Sequence, residues 1–135
     1  MSGLAYIDSS ALLKLAVREA ETSALEADLA ERDGLLVSRL GVIECRRAAA
    51  RASKSRLPQT LEQVLDAVYL LEITVAILDR AAELRPTVMR TLDAIHLATA
   101  LSVNDRHLDV ITYDDRMADA ARENGLRVVQ PGRQR

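Results

Sequence analysis

Five short apolar runs, at residues 4–7, 35–38, 72–75, 110–112 and 127–129, alternate along this chain with longer stretches of helical periodicity. Strands this short and this apolar are buried on both faces, and a strand that reaches its neighbour through a helix of ten or so residues lies parallel to it. The pattern predicts an α/β fold: a central, mostly parallel sheet of about five short strands, with helices on both faces.

The helices are expected over 11–16, capped by Ser9 or Ser10, and over 21–31, 40–52, 61–70, 76–84, 92–101 and 115–123. Arg32-Asp33-Gly34 reads as a stop signal, residues 53–59 as a polar loop, 105–109 as a polar loop before the fourth strand, and 131–135 as a frayed end. At 135 residues the chain has the length of one domain.

Composition excludes several classes of function. Tyr6, Tyr69 and Tyr113 are the only aromatic residues, so a broad platform for stacking single-stranded bases is not available. A net charge of -2 argues against coating nucleic acid by charge alone. Cys45 is the only cysteine and reads as a small buried hydrophobe, so neither an internal disulfide nor a thiolate metal cluster is expected. The start of the chain has no signal-peptide pattern, and no apolar run approaches the ~20 residues that span a bilayer. A soluble, cytoplasmic protein is expected.

Four acids stand where strands end or helices begin inside apolar sequence: Asp8, Glu44, Asp93 and Asp114. A carboxylate is costly to bury unless it is paired or ligates a cation. In parallel sheets ligands bind outside the carboxyl ends of the strands, where Asp8 and Asp114 fall. Each acid also has an ordinary role available: helix capping for Asp8 and Asp114, an exposed helical position for Glu44, and first-turn stabilisation for Asp93. If all four converge, a hard divalent cation is the simplest reason for them.

The segments Tyr6-Ile7-Asp8-Ser9-Ser10-Ala11-Leu12, Glu44 early in the third helix, Thr91-Leu92-Asp93-Ala94-Ile95-His96-Leu97-Ala98, and Thr112-Tyr113-Asp114-Asp115-Arg116 together resemble the PIN-domain ribonucleases. More specifically, they resemble the VapC-type toxins of type II toxin–antitoxin pairs. The resemblance covers essentially residues 1–135 as a single PIN domain and implies a PIN-like three-layer α/β/α fold. It implies that Asp8, Glu44, Asp93 and Asp114 bind Mg2+ or Mn2+ and cleave structured RNA such as transfer RNA, leaving a 5′-phosphate, with hydroxyl support from Ser9 and Thr112. It further implies two partners: a cognate VapB-type antitoxin and a second copy of the chain.

Arg46, Arg47 and Arg51, with Lys54 and Arg56, form a basic run near Glu44 that is read either as a grip on RNA phosphates or as a solvated face. His96 shares a helix face with Asp93 and reads as a packed, hydrogen-bonded core histidine, with contact to an acid or to substrate as the alternative. A receiver-type signalling domain would want a second acid beside Asp8, and an aspartyl phosphatase an aspartate at position 10; serines stand at both. The remaining rival is a PIN-like module that binds RNA or protein with little catalysis.

Overall fold

The computed structural model describes residues 3–51 and 57–133. Its elements follow in the order β1 (Leu4–Ile7), α1 (Ser9–Ala16), α2 (Thr22–Ala30), β2 (Gly34–Ser38), α3 (Arg39–Arg51), α4 (Leu57–Leu65), β3 (Tyr69–Leu71), α5 (Val75–Glu83), α6 (Thr91–Ser102), β4 (Asp109–Ile111), α7 (Asp115–Glu123) and β5 (Arg127–Val129). The strands form one sheet in the order β3-β2-β1-β4-β5, every adjacent pair parallel. From β1 the chain winds outward through β2 to β3, then returns to place β4 on the other side of β1. That reversal opens a crevice at the carboxyl ends of β1 and β4.

Successive side chains of β1 point to opposite faces and feed two cores. Ala5 and Ile7 pack with Val37 and Ile111 under Leu12, Leu25, Cys45 and Leu61 from α1 to α4. Tyr6 and Leu4 face the other way, with Leu36, Val110 and Leu108, under Ala100 of α6. Leu97 of α6 then packs on Met117 and Ala121 of α7. With almost no large aromatics, closely fitted aliphatic and alanine side chains fill both layers.

The third strand departs from expectation. Periodicity over 61–70 predicts a helix to Leu70 with a strand at 72–75, whereas α4 ends at Leu65 and Tyr69–Leu71 pairs in register with Leu36–Ser38. Val68 packs on the core under either conformation, so spacing does not discriminate; the partner strand decides. Beyond the strand, Thr74 caps α5, its hydroxyl accepting from Ile77 N at 3.2 Å, so the helix starts at Val75 where a strand was expected to end. The loop expected over 53–59 lies outside the described residues as far as 56, and 57–59 are the first turn of α4. The chain end to residue 133 is anchored rather than frayed: the Tyr113 hydroxyl donates to Pro131 O at 2.7 Å, and Arg133 pairs with Asp115 at 2.8 Å.

The stretch expected as a loop at 105–109 ends in a buried acid. Asp109 opens β4, and its side chain, 4% exposed, meets the equally buried Arg32 at 2.5 Å. Arg32 also holds Asp28 at 2.9 Å, tying the end of α2 to the sheet edge opposite the crevice. Arg127 Nε stands 3.1 Å from Asp109 Oδ1 without hydrogen-bond alignment, so Arg32 carries most of the compensation. Removing one partner of a buried pair costs about 3–5 kcal/mol, because the other charge is stranded. Arg32→Ala is expected to lose about 3 kcal/mol in urea unfolding, and Asp109→Asn added to it is expected to restore part of that loss.

Candidate metal centre

Asp8 leaves β1 in extended conformation and serves as the N-cap of α1, with Oδ1 accepting from Ala11 N at 3.1 Å. The cap is thus the aspartate itself rather than Ser9 or Ser10. Oδ1 also accepts from the Ser10 hydroxyl at 2.6 Å, and Oδ2 from the Thr112 hydroxyl at 2.5 Å. Ser10 Oγ in turn accepts from Tyr113 N at 2.9 Å, and Thr112 Oγ1 from Asp114 N at 3.1 Å. These bonds stitch the end of β1 to the end of β4. Asp8 is 4% exposed, and burial pushes its carboxyl above the usual carboxylate range although the hydroxyls of Ser10 and Thr112 and the amide of Ala11 act to lower it.

Asp114 caps α7, Oδ1 accepting from Arg116 N at 2.9 Å and Met117 N at 3.2 Å, which leaves Oδ2 directed to the crevice. Asp93 lies in the first turn of α6. Arg90, the residue preceding that helix, reaches both acids: Nε is 3.2 Å from Asp93 and Nη2 is 3.2 Å from Asp114. Glu44 extends from α3 and accepts from His96 Nε2 at 2.7 Å. Asp8, Glu44, Asp93 and Asp114 all line one cavity of about 260 Å³, with Ser9, Ser10, Arg90, Thr91, Leu92 and His96.

Of the hydroxyls singled out from sequence, Thr112 bonds Asp8 directly, while Ser9 lines the cavity and Ser10 makes the bond to Asp8. Arg46, Arg47 and Arg51 are exposed on α3 and do not line the cavity; Arg46 is paired with Glu62 at 2.5 Å, and Lys54 and Arg56 lie outside the described residues. The cation at the acids is Arg90, which sequence reasoning missed although its three-residue spacing from Asp93 was a usable signal. The partner role of His96 had no such signal, because Glu44 is 52 residues away.

The donor set is composed of carboxylate and hydroxyl oxygens, the chemistry of a hard cation. Among the described residues, no three acid, histidine or cysteine side chains are gathered tightly enough to enclose an ion. Mg2+ does not require such a cage, since it keeps several waters and takes one or two carboxylates together with substrate phosphate. The acids fit that mode. Two of them already draw a guanidinium, so the crevice attracts positive charge.

The sequence pattern of the PIN domain matches residues 5–123. The chain is 42% identical over 126 residues to ribonuclease VapC46 of Mycobacterium tuberculosis (strain ATCC 25618 / H37Rv), covering 93% of this chain and 96% of that protein. A toxin–antitoxin complex from Klebsiella pneumoniae contains a chain that superposes with a TM-score of 0.70 at 25% identity, over 94% of this chain and 97% of that one. VapBC2 of Rickettsia felis, solved bound to a DNA fragment from its promoter, superposes at 0.74 with 12% identity over 95% and 98%, a likeness of fold.

A raised carboxyl pKa has a definite consequence for stability. Between the ordinary aspartate value and the raised one, the folded chain holds a proton that the unfolded chain has released, so stability falls as pH rises through that window and stays lowered above it. Asp8→Asn removes the charge and keeps a side-chain oxygen for Ala11 N. It is expected to raise the thermal unfolding midpoint at neutral pH in chelator by a few degrees, with the advantage shrinking at acid pH; calorimetry across pH checks both.

Proposed function

The chain belongs to the PIN-domain family, and from that membership we propose that it is the Mg2+-dependent endoribonuclease toxin of a type II toxin–antitoxin pair, neutralised by a VapB-type antitoxin. The observation that carries the reading is the meeting of Asp8, Glu44, Asp93 and Asp114 on one cavity at the point where the strand order reverses. Residues 1–135 are read as one PIN domain, and Mn2+ as a substitute for Mg2+.

Hydrolysis of a phosphodiester needs an activated water in line with the leaving oxygen and stabilisation of the charge that builds on the phosphoryl group. A divalent ion held by Asp8 and Asp93, with Glu44 and Asp114 completing the site, would supply Lewis acidity toward that charge and toward the water. The chain's own residues prepare the site. Ser10, Thr112 and Ala11 N orient both oxygens of Asp8, and Asp114 is aimed by the first turn of α7. The half-exposed guanidinium of Arg90 stands at the rim, where it balances the acids and faces an incoming phosphate. Ser10 is unsuited to act as a nucleophile, its hydroxyl being committed to Asp8 and Tyr113 N. The reading takes as attacking group a water that the bound ion would activate.

Among the described residues no helix is long and apolar enough to cross a membrane. Burial pushes the Cys45 thiol up to about 11, in keeping with an unreactive cysteine; the reading places the chain in the cytoplasm with its RNA substrate. A homodimer is part of the reading, which sedimentation would test.

Wild-type protein is expected to cleave RNA with Mg2+ and to stop in chelator. Asp8→Ala and Asp93→Asn are expected to lose on the order of 100-fold or more in rate, since disturbing even the outer partners of metal ligands costs about 10–100-fold, with circular dichroism unchanged. Equal cleavage by wild type and both variants would reveal a contaminating nuclease and favour a binding module. Growth arrest on expression, relieved by co-expressing the antitoxin, tests the pairing separately.

A further inference from the structure

We propose that His96 is a positioning residue that fixes the Glu44 carboxylate through a hydrogen-bonded chain, Tyr6–His96–Glu44. The inference rests on the nuclease reading only for the role that reading gives Glu44. The chain crosses three elements, β1, α6 and α3, just beneath the crevice. His96 is 3% exposed; Nδ1 lies 2.6 Å from the Tyr6 hydroxyl and Nε2 lies 2.7 Å from Glu44 Oε1. Tyr6 is fully buried.

The order of donors follows from the groups themselves. An ionised carboxylate only accepts, so Nε2 carries the ring hydrogen toward Glu44. In the neutral ring Nδ1 then accepts, and the Tyr6 phenol, kept protonated by its burial, donates to it. Tyr6 therefore selects the tautomer that Glu44 requires, while edge-on packing of the two rings, with centroids 5.9 Å apart, holds the imidazole plane.

Ser38 supports Glu44 through the backbone: its Oγ accepts from Gly41 N at 3.0 Å and so fixes the first turn of the helix that carries Glu44. The His96 ring packs against that same turn, with Cε1 3.6 Å from where a Cβ on Gly41 would stand. Backbone and side chain of Glu44 are thus both set by buried residues. Without the histidine, a glutamate on a helix with a quarter of its side chain exposed has several rotamers open to it. His96 borders the cavity, but both its ring nitrogens are committed to Tyr6 and Glu44, so it has no free nitrogen to offer substrate.

The test compares His96→Gln, His96→Asn and Tyr6→Phe with the wild type. Glutamine sets an amide N–H near the Nε2 position, while asparagine reaches only the Nδ1 position and leaves Glu44 without its donor. His96→Asn is expected to weaken Mn2+ binding measured by calorimetry, and to lower kcat, each by about 10–100-fold, with the KM for RNA held within about two-fold. His96→Gln is expected to recover most of both, and Tyr6→Phe to fall between, with all variants confirmed folded by their unfolding transitions. Crystal structures of the two His96 variants without metal supply a readout independent of activity: Glu44 is expected to stay in place with glutamine and to move or split with asparagine. Indistinguishable Gln and Asn variants, or an unmoved Glu44 in His96→Asn, would overturn the proposal. Absence of any RNA cleavage by the wild type, with Glu44 displaced only in His96→Asn, would sink the nuclease reading and leave the positioning role standing.

Discussion

Asp8 is the residue on which the arrangement depends. Its two oxygens accept from the helix that follows β1 and from the hydroxyl that follows β4, so one buried carboxylate joins the two strands between which the sheet changes direction. The same contacts that make it a cap and a strand-to-strand clasp leave it in a low-dielectric wall of the crevice, poorly placed to carry charge unless a cation compensates it. Under the proposed reading, stability and function would pull against each other at this residue.

Around that residue the acids are supported by different means. Asp114 is held by backbone amides at a helix start, Asp93 and Asp114 share Arg90, and Glu44 is held from below by His96. The upper supports are exposed and able to exchange partners with an incoming phosphate or ion, since surface ion pairs are weak. The lower ones are buried and rigid. A crevice with a fixed floor and a replaceable rim suits a substrate that brings its own negative charge.

At the opposite edge of the sheet, Arg32 and Asp109 form a buried pair with no part in the crevice. The contrast is instructive: burial and charge together do not mark a functional site. Position at the carboxyl ends of β1 and β4 separates the four crevice acids from Asp109, which lies at the start of its strand.

Much of the fold was legible because period and punctuation are local properties. Four of the five strands and most helices fall where apolar spacing, Gly and Ser place them, and the alternation alone implied a parallel sheet with covered faces. The third strand was not legible, because Val68 to Leu71 satisfy helix and strand spacing alike and only pairing with β2 selects one. In the crevice the sequence by itself determined the kinds of atom present: carboxylate and hydroxyl oxygen donors, with a single cysteine, too few for a thiolate cluster. Tertiary structure alone decided who touches whom. It set Ser10 rather than Ser9 on Asp8, Arg90 between two acids, and His96 under Glu44. These are contacts between residues brought together by strand order and side-chain direction, and sequence spacing carries no record of either across a crossover.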